Sequence, residues 1–171
     1  QHISDDLLAA MRRETDGAYI RRLIDRFRQG IPGVALRTTF IVGFPGEREP
    51  HVEELVQFLA QARFERVGIF LYSPEPKTPG ERLGAQVPEE VKRERRDHLM
   101  QIQQGISEEL NRRWLGQEVE VLVDEITGTA QMGTPYESRV SPPGLSPIYL
   151  GRTYADAPEV DGQVFLRSSR P

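Results

Sequence analysis

The sequence predicts an α/β fold followed by an all-β segment, and three observations predict it. Val34 to Val42 and Arg66 to Tyr72 are two runs rich in β-branched and aromatic residues, with a helical stripe between them. Pro88 to Trp114 carries one long helical pattern. From Leu115 onward apolar residues recur with period two between Gly and Pro turns. Together they divide the 171 residues into 1–114 and 115–171.

The elements follow in order. Ser4 is placed to cap a short helix running to about Arg13, with Leu7, Leu8 and Met11 at helical spacing. Tyr19, Ile20, Leu23, Ile24 and Phe27 mark a second helix, stopped by Gly30 and Pro32. The run from Val34 to Val42 has the composition of a strand covered on both faces. After it, Val52, Leu55, Val56 and Leu59 form a helix stripe with Glu53 and Glu54 on the wet side, and a second buried strand follows from Arg66 to Tyr72. Strand, helix, strand with short connections is the pattern of a right-handed parallel crossover. The three prolines of Ser73 to Gly80 make that stretch a loop at the carboxyl end of a strand, where parallel α/β folds place ligands.

In the long helix Leu99, Ile102, Ile106 and Leu110 form the apolar stripe. Its charge run interleaves Lys92, Arg93, Arg95 and Arg96 with Glu89, Glu90, Glu94 and Asp97, which reads as a solvated face with salt-bridge spacing rather than a nucleic-acid patch. Beyond it, Glu118 to Val123, Tyr136 to Val140, Ile148 to Leu150 and Val164 to Arg167 are short strands of part of a small antiparallel barrel, whose last strand has no evident partner following it.

Composition limits the chemistry. The chain has no cysteine, which excludes disulfides, thiolate zinc sites and any cluster held by its own cysteines. No run approaches the roughly 18 apolar residues of a membrane span, and the start lacks a signal-peptide pattern, so the expected location is the cytoplasm with no membrane partner. His2, His51 and His98 are scattered and read as surface residues; neither a catalytic triad nor a metal-site spacing is present. The net charge of −4 resides in the tail, where Arg139, Arg152, Arg167 and Arg170 face Glu118, Glu120, Asp124, Glu125, Glu137, Asp156, Glu159 and Asp161. That balance favours a basic protein over a bare phosphate backbone as partner.

The first run ends in Gly43-Phe44-Pro45-Gly46-Glu47. Two glycines allow backbone angles and close approaches closed to other residues, and Pro45 stiffens the turn between them. A ligand-binding turn and a plain strand-to-helix connection, with Glu47 favouring the positive helix start, both fit. Phe40, Phe70 and Tyr72 read as core, although Tyr72 is the last strand residue before the proline loop.

Gln1-His2 with Met11-Arg12, RTTFIVGFPGE at 37–47, FLYSPE at 70–75 and VPEEVKRERRDHLMQIQQGIS at 87–107 resemble the methylthiotransferase branch of the radical S-adenosylmethionine enzymes. GRTYADAPEVDG at 151–162 is similar to the members that act on an aspartate β-carbon of ribosomal protein S-twelve in the small ribosomal subunit, rather than on a tRNA adenosine. The resemblance implies that residues 1–114 are the carboxyl-terminal part of a radical-SAM partial (βα) barrel with its long connecting helix. It implies that 115–171 are a truncated TRAM domain, an incomplete all-β barrel. It implies S-adenosylmethionine and two 4Fe–4S clusters as cofactors of the parent enzyme, with Ile41 and Gly43 against the adenine, Phe70 to Tyr72 at the neighbouring strand edge, and Thr39 near the ribose. The expected cofactor-binding residues are thus Thr39, Ile41, Gly43, Phe70 and Tyr72.

The departures are the missing cysteine motif, the missing first half of the barrel, and Lys77 where many relatives have glycine. An isolated chain of this kind is expected to lack methylthiotransferase activity and to be poorly stable alone, since two strands of an open sheet leave apolar surface uncovered. A tRNA-modifying relative and a noncatalytic TRAM-type binding module are the competing readings. Arg37 and Glu47 remain open between cofactor contacts and strand-end or helix-start charges.

Overall fold

A computed structural model describes residues 1–76, 79–127, 148–158 and 160–167. The chain divides into two compact units, Gln1–Leu115 and Gly116–Pro171.

The first unit is mixed α/β. Helices α1 (Asp5–Ala10) and α2 (Gly17–Gly30) lead into strand β1 (Arg37–Val42), helix α3 (Glu49–Ala62), strand β2 (Arg66–Leu71), a short 3-10 turn (Pro79–Arg82) and the long helix α4 (Glu89–Arg112). Asp16 caps α2 by accepting the Tyr19 N–H at 2.6 Å. Ser4 occupies the position before α1 without capping it, because its hydroxyl bonds the Glu54 carboxylate of α3 instead. The chain then leaves α1 early, through the left-handed Arg12. α3 has Pro50 in its first turn and ends at the left-handed Arg63.

β1 and β2 are parallel, in register from Arg37 opposite Arg66 to Val42 opposite Leu71. Period two then sorts the strands into faces. Phe40, Val42 and Ile69 are buried on one face with Leu55, Phe58 and Leu59 of α3, Phe64, and Leu99 and Ile106 of α4. Phe40, Phe58 and Phe64 meet edge to face, with ring centroids 5.6–6.2 Å apart. The other face carries Thr39, Ile41, Gly68 and Phe70. The described residues of the unit leave it largely open, with Ile41 and Gly68 half-buried, Thr39 exposed and Phe70 62% exposed. This corrects the expectation of strands covered on both faces: α3 and α4 pack on one side, and continuous apolar composition does not by itself say what covers the second. On its edge away from β2, β1 donates a backbone hydrogen bond, from the Ile41 N–H to the Gln1 carbonyl at 2.8 Å.

At the amino ends of the strands Glu65 is the hub. It accepts both Arg28 guanidinium nitrogens at 2.8 and 2.9 Å, the Leu36 N–H at 2.8 Å and Arg113 at 3.0 Å. Arg28 also donates to the carbonyls of Val34 and Arg63. These bonds consume the backbone just before β1, which is why the strand begins at Arg37 rather than at Val34.

The second unit contains a three-stranded antiparallel sheet, β3 (Leu122–Thr127), β4 (Ile148–Arg152) and β5 (Val164–Arg167), in the order β3-β4-β5. β3 starts later than the alternation from Glu118 implied, and an irregularity lies between Val123 and Glu125. Arg152 pairs with Asp124 at 2.7 Å. The turn after β4 is held by its own carboxylates: Asp156 accepts from Thr153 N–H and hydroxyl, and Asp161 from Ala157 N–H. The expected strand from Tyr136 to Val140, and Lys77, lie outside the described residues.

Candidate functional site

The uncovered sheet face leads up to the carboxyl ends of β1 and β2. Ile41 and Phe70 are cross-strand partners on it, and two residues earlier Thr39 lies opposite Gly68. A Cβ on Gly68 would stand 3.4 Å from the Phe70 ring and 3.7 Å from Thr39 Oγ1, so the bare glycine leaves a shallow floor between them. Thr39 is exposed and Ile41 half-buried. Thr39, Ile41 and Phe70 therefore form one patch: an aromatic ring, a branched aliphatic chain and a single hydroxyl.

Gly43 follows the patch at the strand end. Its φ is +79° and that of Gly46 is +88°, so both glycines of the turn hold left-handed backbone. Tyr72 extends the ladder by one bond, its N–H donating to the Val42 carbonyl at 2.8 Å. Its ring packs edge-on against Phe44 at 5.0 Å and 72°. Of the five expected residues, Thr39, Ile41 and Phe70 share a face, Gly43 continues their line, and Tyr72 spends part of its ring on Phe44.

Beneath the turn is a charged layer that sequence reasoning missed. Glu47 is buried and precedes α3, which starts at Glu49. Its carboxylate turns back to accept the Gly43 N–H at 3.0 Å and Arg95 of α4 at 2.8 Å. Glu47 thus closes the turn on itself. Burial raises its pKa, an effect that the Gly43 N–H and Arg95 partly offset. Lys92, also buried, donates to the Tyr72 carbonyl at 2.9 Å and to Glu89 at 2.6 Å, with its ammonium 5.6 Å from the Tyr72 ring centre. Lys92 and Arg95 correct the reading of the α4 charge run as wholly solvated. They lie seven and four residues before Leu99, so extending the apolar stripe backward by helical spacing reaches both. That spacing was the available signal.

Two of the three histidines are buried as well, contrary to the expectation of surface residues. His51 accepts the Arg48 N–H at 3.0 Å and meets Asp6 at 3.1 Å. His2 Nδ1 accepts the Ser4 N–H at 3.1 Å, which puts the ring proton on Nε2, 3.7 Å from Glu47. Burial, then His51 and the amino terminus, lower the His2 pKa to about 4, with Asp6 opposing them. The sign follows. Below the ordinary value of 6.5 the unfolded chain takes up a proton that folded His2 refuses, so stability is lost as pH falls from 6.5 toward 4. Urea unfolding of wild type and His2→Gln should diverge across that window by up to about 1.4 kcal/mol per pH unit, the wild type being the steeper. Parallel profiles would contradict it. Glu47 works oppositely on the acid side, because its raised pKa favours the folded state where it gains a proton first.

The arrangement suits recognition of a flat ring at a strand end, and its buried carboxylate is committed to holding the turn. Among the described residues no group of three His, Cys, Asp or Glu is placed to hold a metal ion, and no helix is long and apolar enough to cross a membrane.

Residues 144–171 match the TRAM domain family. Nearly the whole chain is similar to enzymes named ribosomal protein uS12 methylthiotransferase RimO. It is 45% identical to the one from Aquifex aeolicus over 99% of this chain and 36% of that relative, and 46% identical to that of Heliobacterium modesticaldum over 96% and 32%. The enzyme of Bacteroides thetaiotaomicron is 43% identical over 99% and 35%. The chain thus spans about a third of the length of the curated relatives it matches. These matches bear out the resemblance drawn from the motifs.

Proposed function

We propose that this chain is part of a radical S-adenosylmethionine methylthiotransferase acting on an aspartate β-carbon of ribosomal protein uS12, the S-twelve protein named above. Thr39, Ile41, Gly43, Phe70 and Tyr72 form the wall of its S-adenosylmethionine site. In this reading β1 and β2 are two neighbouring strands of the partial barrel that ends near residue 114, and 115–171 belong to TRAM. The observation that carries the site is Phe70: a large ring fixed in solvent by register, beside Ile41 and a bare Gly68 floor, at the ligand end of a parallel sheet.

The residues fit the adenosyl group. Phe70 and Ile41 offer apolar surface to the adenine and keep water from it, the Thr39 hydroxyl is within the same patch for the ribose, and left-handed Gly43 lets the backbone come close. S-adenosylmethionine, when bound, supplies the methyl group of the product. The residues do not fit a 4Fe–4S cluster. With no cysteine in the chain, thiolate ligands must come from elsewhere, and the chain alone is inactive as a methylthiotransferase. The acidic balance of 115–171 supports a basic protein substrate over tRNA, in the cytoplasm.

Titrating the chain with S-adenosylhomocysteine by NMR tests the site. Resonances of residues 39–43 and 68–72 should move, and Phe70→Ala should weaken binding by about fivefold or more, a stacking loss of about 1–3 kcal/mol, without lowering the melting temperature. No shift in that patch at millimolar ligand overturns the reading.

A further inference from the structure

The geometry points to α4 as a clamp that sets the position of both strand-end loops, with Lys92 as its positioning residue. Three contacts converge from one face of the first two helical turns. The Lys92 stem occupies the space that a side chain on Gly43 would need, and its Cδ and Cε would lie 2.7 and 3.1 Å from a Cβ there. The Lys92 ammonium bonds the Tyr72 carbonyl, at the end of β2. One turn on, Arg95 holds the Glu47 carboxylate that in turn accepts the Gly43 N–H. The β1 turn and the residue after β2 are thus tied to the same helix, in addition to the Tyr72 N–H bond to Val42 and the Phe44–Tyr72 ring contact that join them directly.

The chemistry explains why a lysine is used. An ammonium on a four-carbon stem can lie against the glycine and still deliver donors to a carbonyl beyond it, whereas an apolar side chain could fill the space without the bond. Glu89 completes the site from the solvent side, which lets the charge be buried with partners. Lys92 lies against Gly43 and the Tyr72 carbonyl. It acts through the loops.

Only the ligand-affinity arm of the test rests on the proposed cofactor site. The full chain is prepared as wild type, Lys92→Met, Lys92→Arg and Glu89→Gln. Met keeps the stem and removes the ammonium. Amide hydrogen exchange should show Gly43 and Tyr72 opening at least tenfold faster in Lys92→Met, with Leu36, at the other end of the strands, unchanged. Lys92→Arg should recover much of the protection, and Glu89→Gln should raise exchange two- to threefold. S-adenosylhomocysteine affinity should follow the same order. Wild-type exchange at Gly43 and Tyr72 in Lys92→Met overturns the clamp, as does a uniform increase at Leu36 that Arg fails to rescue. If Lys92→Met does not fold, wild-type exchange in Glu89→Gln at both amides overturns it. If wild type binds no S-adenosylhomocysteine while the exchange pattern holds, the clamp stands and the cofactor reading falls.

Discussion

Replacing Glu65 with alanine is expected to destabilise the first unit by about 3–4 kcal/mol, which is the cost typical of breaking a buried, multiply bonded ion pair. The carboxylate is almost buried, and three groups lose their partner at once. Arg28 gives up a two-pronged bond, the Leu36 N–H loses its acceptor at the entry to β1, and Arg113 at the end of α4 is released. Burial alone would raise the Glu65 pKa, but the bonds from Arg28, Leu36 and Arg113 outweigh it and the net shift is downward. The group therefore contributes stability above its ordinary value of 4.5, lost as pH falls through the lower folded value. Glu65→Gln keeps an acceptor for Leu36 while removing the charge, so about half the loss is expected. The Arg63–Glu109 pair is as short, at 2.7 Å, but both side chains are well exposed, and Glu109→Gln should cost less than about 1 kcal/mol. Chemical denaturation of the three variants checks the order. Equal losses for Glu65→Ala and Glu109→Gln would mean that burial is not what gives Glu65 its weight.

That hub and the layer under the Gly43 turn define the limit of what the sequence could tell. The strands and helices were legible because each carries its own period: the Phe40 and Val42 alternation, the Leu55 and Leu59 stripe, the Leu99 to Leu110 stripe. The five site positions followed from the motif, and their common face follows once a register is known, since Thr39 and Ile41 are two apart, as are Gly68 and Phe70. Charged contacts were harder. Glu65 gathers partners from positions 28, 36 and 113, and Glu47 meets Arg95 across 48 residues of sequence. No local pattern encodes such a meeting, because it depends on where α4 crosses the strand ends. The histidines failed for the same reason. His2 and His51 are buried by surrounding elements and serve backbone groups, which composition alone cannot show.

Gly43→Ala should be far more damaging than Gly46→Ala, although both glycines have nearly the same left-handed φ. The shared conformation costs an L-residue about 1 kcal/mol at either position. What differs is the space. Among the described residues nothing lies within 4 Å of a Cβ on Gly46, whereas one on Gly43 would run into the Cγ and Cδ of Lys92. Those atoms are the stem of a buried side chain whose tip is held by Tyr72 and Glu89, so they cannot move aside without breaking both bonds. The added methyl therefore either expels Lys92, leaving its partners unmet, or shifts the turn away from α4 and stretches the Gly43 N–H bond to Glu47. Either route adds about 1–3 kcal/mol to the conformational cost, for a total of about 2–4 kcal/mol against about 1 kcal/mol for Gly46→Ala. Thermal and urea unfolding measure the difference, and the double variant Gly43→Ala with Lys92→Ala identifies its origin. If the clash with Lys92 is responsible, removing the lysine stem makes the second substitution much less costly than in the wild-type background, a coupling of at least about 1 kcal/mol. Strict additivity of the two substitutions would assign the whole effect to φ and remove Lys92 from the account of why residue 43 is glycine.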